Sequence, residues 1–326
     1  MKIENQRIRT CLVLLLALFS SGIVSGQSYP IKPVRLVTGA PPGGGGDIVA
    51  RAFTQRLTEQ MGQQVIVDNR PGAGGVIAAQ VVKVAAPDGY TLFQASGSAF
   101  TAAPFVVKKQ PYDPEQDFAP VTLKATAPLM IAVHPSLPVK SVKDLLVLAK
   151  TQKTRLLYAS NGLGSFSHLT TEYFIHVTGI SMTHVPYKGG SPAVIDTMSG
   201  NVQLIITAFP TLIGQIKAGR LRAIAITGAK RSSAMPELPS VAESGYPGFE
   251  ASQWFGIFLP KAPPPTITDR LYHEFRKAGE SPTLKTSLAQ EGAELSVTGP
   301  QALADYLRSE IAKWRKVIRD SKISLE

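Results

Sequence analysis

Pro41-Pro42-Gly43-Gly44-Gly45-Gly46-Asp47 stands between the apolar run Val34-Arg35-Leu36-Val37 and an amphipathic stretch that starts at Ile48. That order reads as a strand, a glycine loop and the first turn of a helix. Four consecutive glycines expose backbone with no Cβ, so their N–H groups can approach a ligand closely and the chain can take positive φ. The helix that follows adds the positive end of its dipole, which makes the loop a candidate anion site. A flexible turn with Asp47 as an ordinary N-cap is the other reading, because aspartate is strongly favoured at that position.

Outward from the loop, strand-like runs alternate with helical patterns. Val34–Thr38 is followed by Ile48, Val49, Ala52, Phe53 and Leu57 at helical spacing, then by the strand Gln64–Asp68, an alanine- and valine-rich helix over 72–84 and the strand Tyr90–Gln94. A β-α-β-α-β order predicts a parallel sheet covered by helices. An extended stretch over 121–133, broken at Pro128, and a helix over 141–150 lead into a second alternation with strands near 156–159, 182–185, 202–207 and 221–227. Trp254–Leu259 is a late strand. Helices follow over 267–278 and 301–318, the last with Leu303, Leu307, Ile311, Trp314 and Ile318 on one face, which makes Trp314 a core residue.

Lys2, Arg7 and Arg9 precede a short apolar run, Cys11–Phe19, and then small residues up to Gly26. This is the pattern of a secretory signal peptide over residues 1–26, with the mature chain starting near Gln27 and soluble outside the cytoplasm. The segment carries three basic residues and one acid, so without it the formal charge falls from +11 to +9. An excess of positive charge suits an anionic ligand, a membrane surface or nucleic acid. The basic residues are scattered, in pairs such as Lys108-Lys109, without interleaved aromatics, which argues against nucleic acid. Cys11 is the single cysteine, so the mature chain has no disulfide, no thiolate nucleophile and no cysteine metal ligand.

Taken with this layout, the sequence resembles the substrate-binding proteins of tripartite tricarboxylate transporters, the Bug-type solute receptors. The resemblance spans the mature chain. It rests on Pro41-Pro42-Gly43-Gly44 with Asp47–Arg51, Arg70-Pro71-Gly72-Ala73-Gly74-Gly75, Ala86–Leu92, Pro111–Pro114, Asp117–Val121, His184–Gly189, Ala229–Ser232 and Trp254-Phe255-Gly256. It implies a type II periplasmic-binding-protein fold: two α/β domains with a ligand cleft between them and two crossovers, near Val121–Val133 and Phe249–Leu259. Domain I would comprise 27–125 and 253–326, and domain II 126–252. It also implies a periplasmic, non-catalytic, monomeric receptor without cofactor or metal, whose partners are a small organic acid and the permease subunits of a membrane transporter. A receptor that signals to a membrane partner is the alternative within this class.

Carried onto this sequence, the resemblance implies that Gly43, Gly44, Gly45 and Gly46 hold a carboxylate, partly through water, with Asp47 capping the helix. Ser96 and Ser98 follow the third strand and face the same cleft, unless they form a plain polar turn. Ser160, Asn161, Gly164, Ser165 and His168 make a second clamp on the opposite domain; His168 could equally be a structural hydrogen bonder. Tyr187 belongs to a Pro-Tyr-Lys-Gly turn, where Lys188 steers anions or is simply solvated. Thr207 and Phe209 stand where many relatives carry an aspartate and a polar residue, which leans the ligand toward a less polar, aromatic or branched acid.

An enzyme reading competes with this one. Gly43–Gly46 after a strand, with Asp68 ending the next, imitates a dinucleotide-binding unit of an α/β oxidoreductase. The fingerprint fails at its third glycine, where Ile48 stands, and no Gly-x-Ser-x-Gly elbow is present.

Overall fold

The computed structural model describes residues 29–102, 111–151 and 155–320. The segment read as a signal peptide and the pair Lys108-Lys109 lie outside them. The first part comprises β1 (Val34–Thr38), α1 (Gly45–Met61), β2 (Val65–Asn69), α2 (Val76–Lys83) and β3 (Thr91–Ser96). β1 lies between β2 and β3, parallel to both, with Thr38 opposite Asn69 on one side and Gln94 on the other. The carboxyl ends of the three strands therefore share one edge, where ligands of open α/β sheets bind.

The stretch over 121–133 is one long strand, β4 (Phe118–Val133), and Pro128 does not break it. What changes at Pro128 is the partner. Up to Pro128, β4 pairs antiparallel with β9 (Ser252–Pro260); from Leu129 it pairs with β7 (Leu204–Ala208), and from Met130 also with β8 (Arg222–Ile226). Proline has no N–H for a ladder, and it sits where one ladder gives way to the next. The sheet runs β2-β1-β3-β9-β4-β7-β5-β6, with β5 (Leu156–Ser160) and β6 (Met182–Pro186) parallel and a short β10 (Glu294–Leu295) added to β4 at Ala125 and Thr126.

The chain thus passes between two halves of the sheet inside β4 and returns through 227–251 into β9. Thr227, fully buried, joins the two passages. Its hydroxyl accepts the Leu129 N–H at 2.8 Å and donates to the Ala251 carbonyl at 2.6 Å. Its own N–H reaches the Leu129 carbonyl at 2.9 Å, and Ala251 donates to its carbonyl at 2.8 Å.

Helices α3 (Val142–Thr151), α4 (Phe166–Thr178), α5 (Gly190–Met198) and α6 (Phe209–Lys217) belong to the second half, and α7 (Pro265–Gly279), α8 (Pro282–Gln290) and α9 (Pro300–Asp320) follow β9. The apolar face of α9 serves both halves. Leu303, Leu307 and Ile311 pack with Phe93, Phe100 and Trp254, while Trp314, Val317 and Ile318 pack with Phe166, Phe174 and Phe249. Trp314 is fully buried, its ring 5.1 Å from that of Phe166. Among the described residues no helix is long and apolar enough to cross a membrane.

Candidate functional site

α1 starts at Gly45, with Gly44 as its N-cap in extended backbone (φ −75°, ψ 157°). The helix therefore begins two residues before Asp47, and the N–H groups of Gly45 and Gly46 occupy the first turn, where no helical carbonyl can accept them. Of the four glycines only Gly43 has positive φ, +75°. A Cβ on Gly45 would meet nothing within 4 Å, whereas one on Gly46 would lie 2.9 Å from Ala40 Cβ.

Asp47 is not the N-cap. Its carboxylate, buried at the third position of α1, accepts the Gly43 N–H, Arg51 Nε and Asn69 Nδ2, each at 2.9 Å. Burial alone would raise this carboxyl, but the bonds from Arg51, Gly43 and Asn69 outweigh it and hold the group below the usual carboxylate range. Asp47 thus pins the loop from behind.

In front of the loop lies a cavity of about 330 Å³, within the span of roughly 300–1,000 Å³ typical of small-molecule sites. Both halves of the sheet build its wall: Gly44–Gly46, Thr38, Gln94, Ser96 and Ser98 from one, Asn161, Ser165–Ser167 and Thr207–Pro210 from the other. Gln253, Phe255 and Glu291 also line it. Three helix N-termini meet there. At α4, Ser165 is the N-cap: its hydroxyl accepts the His168 N–H at 3.2 Å and its own N–H reaches the Gly162 carbonyl at 3.1 Å. The N–H groups of Phe166 and Ser167 then lack a helical acceptor. α6 opens on Phe209 and Pro210 after the cap Ala208. Each N-terminus carries about half a positive charge. Among the described residues no Lys, Arg or His side chain is part of the wall, so its hydrogen-bond donors are N–H groups, hydroxyls and side-chain amides.

Of the residues singled out from sequence, the cavity brings together Gly44, Gly45, Gly46, Ser96, Ser98, Asn161, Ser165, Thr207 and Phe209. Gly43, Asp47, Ser160, Gly164, His168 and Tyr187 are not part of this wall. Ser160, fully buried, bonds His184 Nε2 at 2.6 Å, and Gly164 donates its N–H to His168 Nδ1 at 3.1 Å. The rings of His168 and His184 stack with centroids 4.0 Å apart. Burial, and the neighbouring His184, push the His168 imidazole down to about 3; burial takes His184 to about 4. Tyr187 donates its hydroxyl to Asp196 and its N–H to the Ser160 carbonyl. These groups brace the 160–168 loop. In front of them, the Thr207 hydroxyl donates to Asn161 Oδ1 at 3.2 Å.

Sequence reasoning missed Thr38, Gln94, Ser167, Gln253, Phe255 and Glu291. Thr38 and Gln94 end adjacent parallel strands, and that position was the available signal. Gln94 donates Nε2 to the Gly46 carbonyl at 2.7 Å, which leaves its Oε1 buried without a partner. Glu291 follows α8, an element absent from the sequence reading.

Residues 49–323 match the family model of the tripartite tricarboxylate transporter family receptor, TctC. The chain belongs to the TctC receptor family. Protein BugT of Bordetella pertussis is 36% identical over 304 residues, covering 93% of each chain. An R. palustris protein solved with adipate, Rpa4515, is 36% identical with a TM-score of 0.82, covering 91% of this chain and 99% of its own. MatC of Rhodopseudomonas palustris with bound malate is 29% identical with a TM-score of 0.77, covering 89% and 100%. The mixed α/β architecture is that of type II periplasmic binding proteins, as the resemblance implied. The TctC chain carries Gly44–Gly46 of its glycine loop on the cavity wall.

Proposed function

We propose that this TctC receptor is an exported, periplasmic, non-catalytic protein that captures a small organic acid and delivers it, as a monomer, to the membrane subunits of a tripartite tricarboxylate transporter. The observation that carries the reading is the meeting of three helix N-termini in a cavity that, among the described residues, has no basic side chain. Such a site binds a carboxylate through oriented N–H groups and hydroxyls, directly or through water. Adipate and malate bound to two relatives support the carboxylate class. Gly44–Gly46 and Ser98 would hold one end of the ligand, and Asn161, Ser165–Ser167 and Thr207 the other. In this reading 27–125 with 253–326 form one domain and 126–252 the second, closing over the ligand by a hinge at β4 and the return into β9.

The oxidoreductase alternative finds less support. Asp68, which would read a ribose, is held by Arg35 and by Arg70 Nε at 3.0 Å. A thermal-shift panel of mono- and dicarboxylates alongside nicotinamide dinucleotides separates the two. A carboxylate at 100 times its Kd should stabilise the protein by about 2.7 kcal/mol, with no effect of the dinucleotides; stabilisation by a dinucleotide alone overturns the proposal.

A further inference from the structure

β5 and β7 run parallel, with Ala159 opposite Ile205. Asn161 and Thr207 stand two residues further along each chain, so the register brings them out side by side at the carboxyl ends of the strands, on the cavity wall. There the Thr207 hydroxyl donates to Asn161 Oδ1 at 3.2 Å. The two differ in exposure: Thr207 is fully buried at 0%, while Asn161 is half-buried. A side chain with no accessible surface cannot touch a ligand, so whatever Thr207 contributes to binding passes through its neighbour.

This contact fixes which way round the Asn161 amide lies. Among the described residues, Asn161 Oδ1 is the one partner of the Thr207 hydroxyl. With the amide turned over, Nδ2 would donate to Thr207 Oγ1 and the hydroxyl hydrogen would be buried without an acceptor, which is costly. The surroundings hold the residue as well: Gly189 donates its N–H to the Asn161 carbonyl at 3.2 Å, and a Cβ on Gly190 would lie 3.5 Å from Asn161 Oδ1. Nδ2 is thus the end of the amide left over. It has no partner among the described residues and is not one of the side-chain atoms sealed from water. On the same side of the cavity the Ser167 hydroxyl is committed to the Ile206 carbonyl.

We propose that Thr207 is a positioning residue: by holding Asn161 Oδ1 it presents the Asn161 Nδ2 N–H groups to the far end of the solute, so that this end is read as a hydrogen-bond acceptor. The inference rests on the receptor reading above and names how the second half of the sheet recognises the ligand, with the share of Thr207 an indirect one. An amide offers N–H donors without a charge. A carboxylate at the far end takes such a donor in a charge-assisted hydrogen bond. A methyl end gains nothing from it, and an ammonium end meets a donor with a donor. Without the Thr207 hydroxyl the amide is free to turn, and its oxygen then faces the far end as often as its nitrogen does.

The test is a double-mutant cycle read by titration calorimetry on the full mature chain, with succinate, glutarate and adipate as probes and the monocarboxylates of equal length as controls. In the unaltered protein the best dicarboxylate should bind about tenfold or more tighter than its monocarboxylate. Asn161→Ala should remove most of that gap. Thr207→Val, which keeps the shape, should weaken the dicarboxylate by about three- to tenfold, and Thr207→Ser should restore it to within about twofold, with monocarboxylate affinity level throughout. The decisive readout is Thr207→Val in the Asn161→Ala background, where it should cost less than about twofold. A loss there as large as in the unaltered protein shows that Thr207 acts on the ligand itself and overturns the inference. So does an equal loss for mono- and dicarboxylates, or a dicarboxylate that binds no tighter than its monocarboxylate. Thr207→Ala, which also removes the hydroxyl, replaces Thr207→Val if the valine variant does not fold. Failure of every carboxylate to bind overturns the receptor reading as well.

Discussion

Gly45 and Gly46 are neighbours with different obligations. Gly46 is small because Ala40 leaves no room, and Gly45 is small although nothing fills the space before it. Gly46→Ala should therefore lower stability by roughly 1–3 kcal/mol, the usual cost of overpacking, read as a lower melting temperature without ligand; an unchanged melting point counts against the tight fit. Ser165 has two roles that one variant can separate. Its oxygen caps α4, and its O–H is left to donate into the cavity. Ser165→Ala should cost about 1 kcal/mol of stability from the lost cap and roughly 0.5–1.5 kcal/mol of ligand affinity. Lowered stability with unaltered affinity would reduce Ser165 to a cap. That the glycine run forms a loop leading into a helix was legible in the sequence. The role of Asp47 was not, because which residue caps a helix depends on where φ and ψ turn helical, and four glycines leave that open.

Between elements, the strands of both alternations were legible from their apolar runs, each bounded by turn residues. Pro128 misled because proline signals a break, whereas here it falls on the handover from β9 to β7 and β8, where a missing N–H costs least. The joint at that handover is Thr227. Thr227→Val keeps the shape and removes the hydroxyl, leaving the Leu129 N–H and the Ala251 carbonyl short of a buried partner, and should destabilise by about 2 kcal/mol in urea unfolding; a neutral substitution would discount the joint. The packing of α4 on β6 carries a pH signature. His168 and His184 are neutral in the fold, while the unfolded chain protonates them near pH 6.5. From about pH 6.5 down to 4 the unfolded state binds more protons, so stability should fall as pH falls. His168→Asn, which keeps an acceptor for the Gly164 N–H, should flatten that slope. A slope equal to that of the unaltered protein would show that the pair does not titrate on unfolding.

At the scale of the molecule, the two-half architecture and the facing loops followed from the order of motifs along the chain. Glu291, Gln253 and the short β10 did not, because only the folded register of β4 with β9 and β10 brings them to the cavity. The C-terminal helix α9, read as part of one domain, packs on both halves, so the closure proposed above would have to bend around a shared helix. The most direct measurement is calorimetric titration of the tightest carboxylate from the thermal-shift panel into the unaltered protein and into Gly45→Val. Gly45→Val places bulk in open space at the first turn of α1, so the ligand-free melting temperature should shift by no more than about 2–4 °C, while binding weakens at least about a hundredfold, or about 2.7 kcal/mol. Equal affinity in the two proteins would contradict a carboxylate held at the glycine loop.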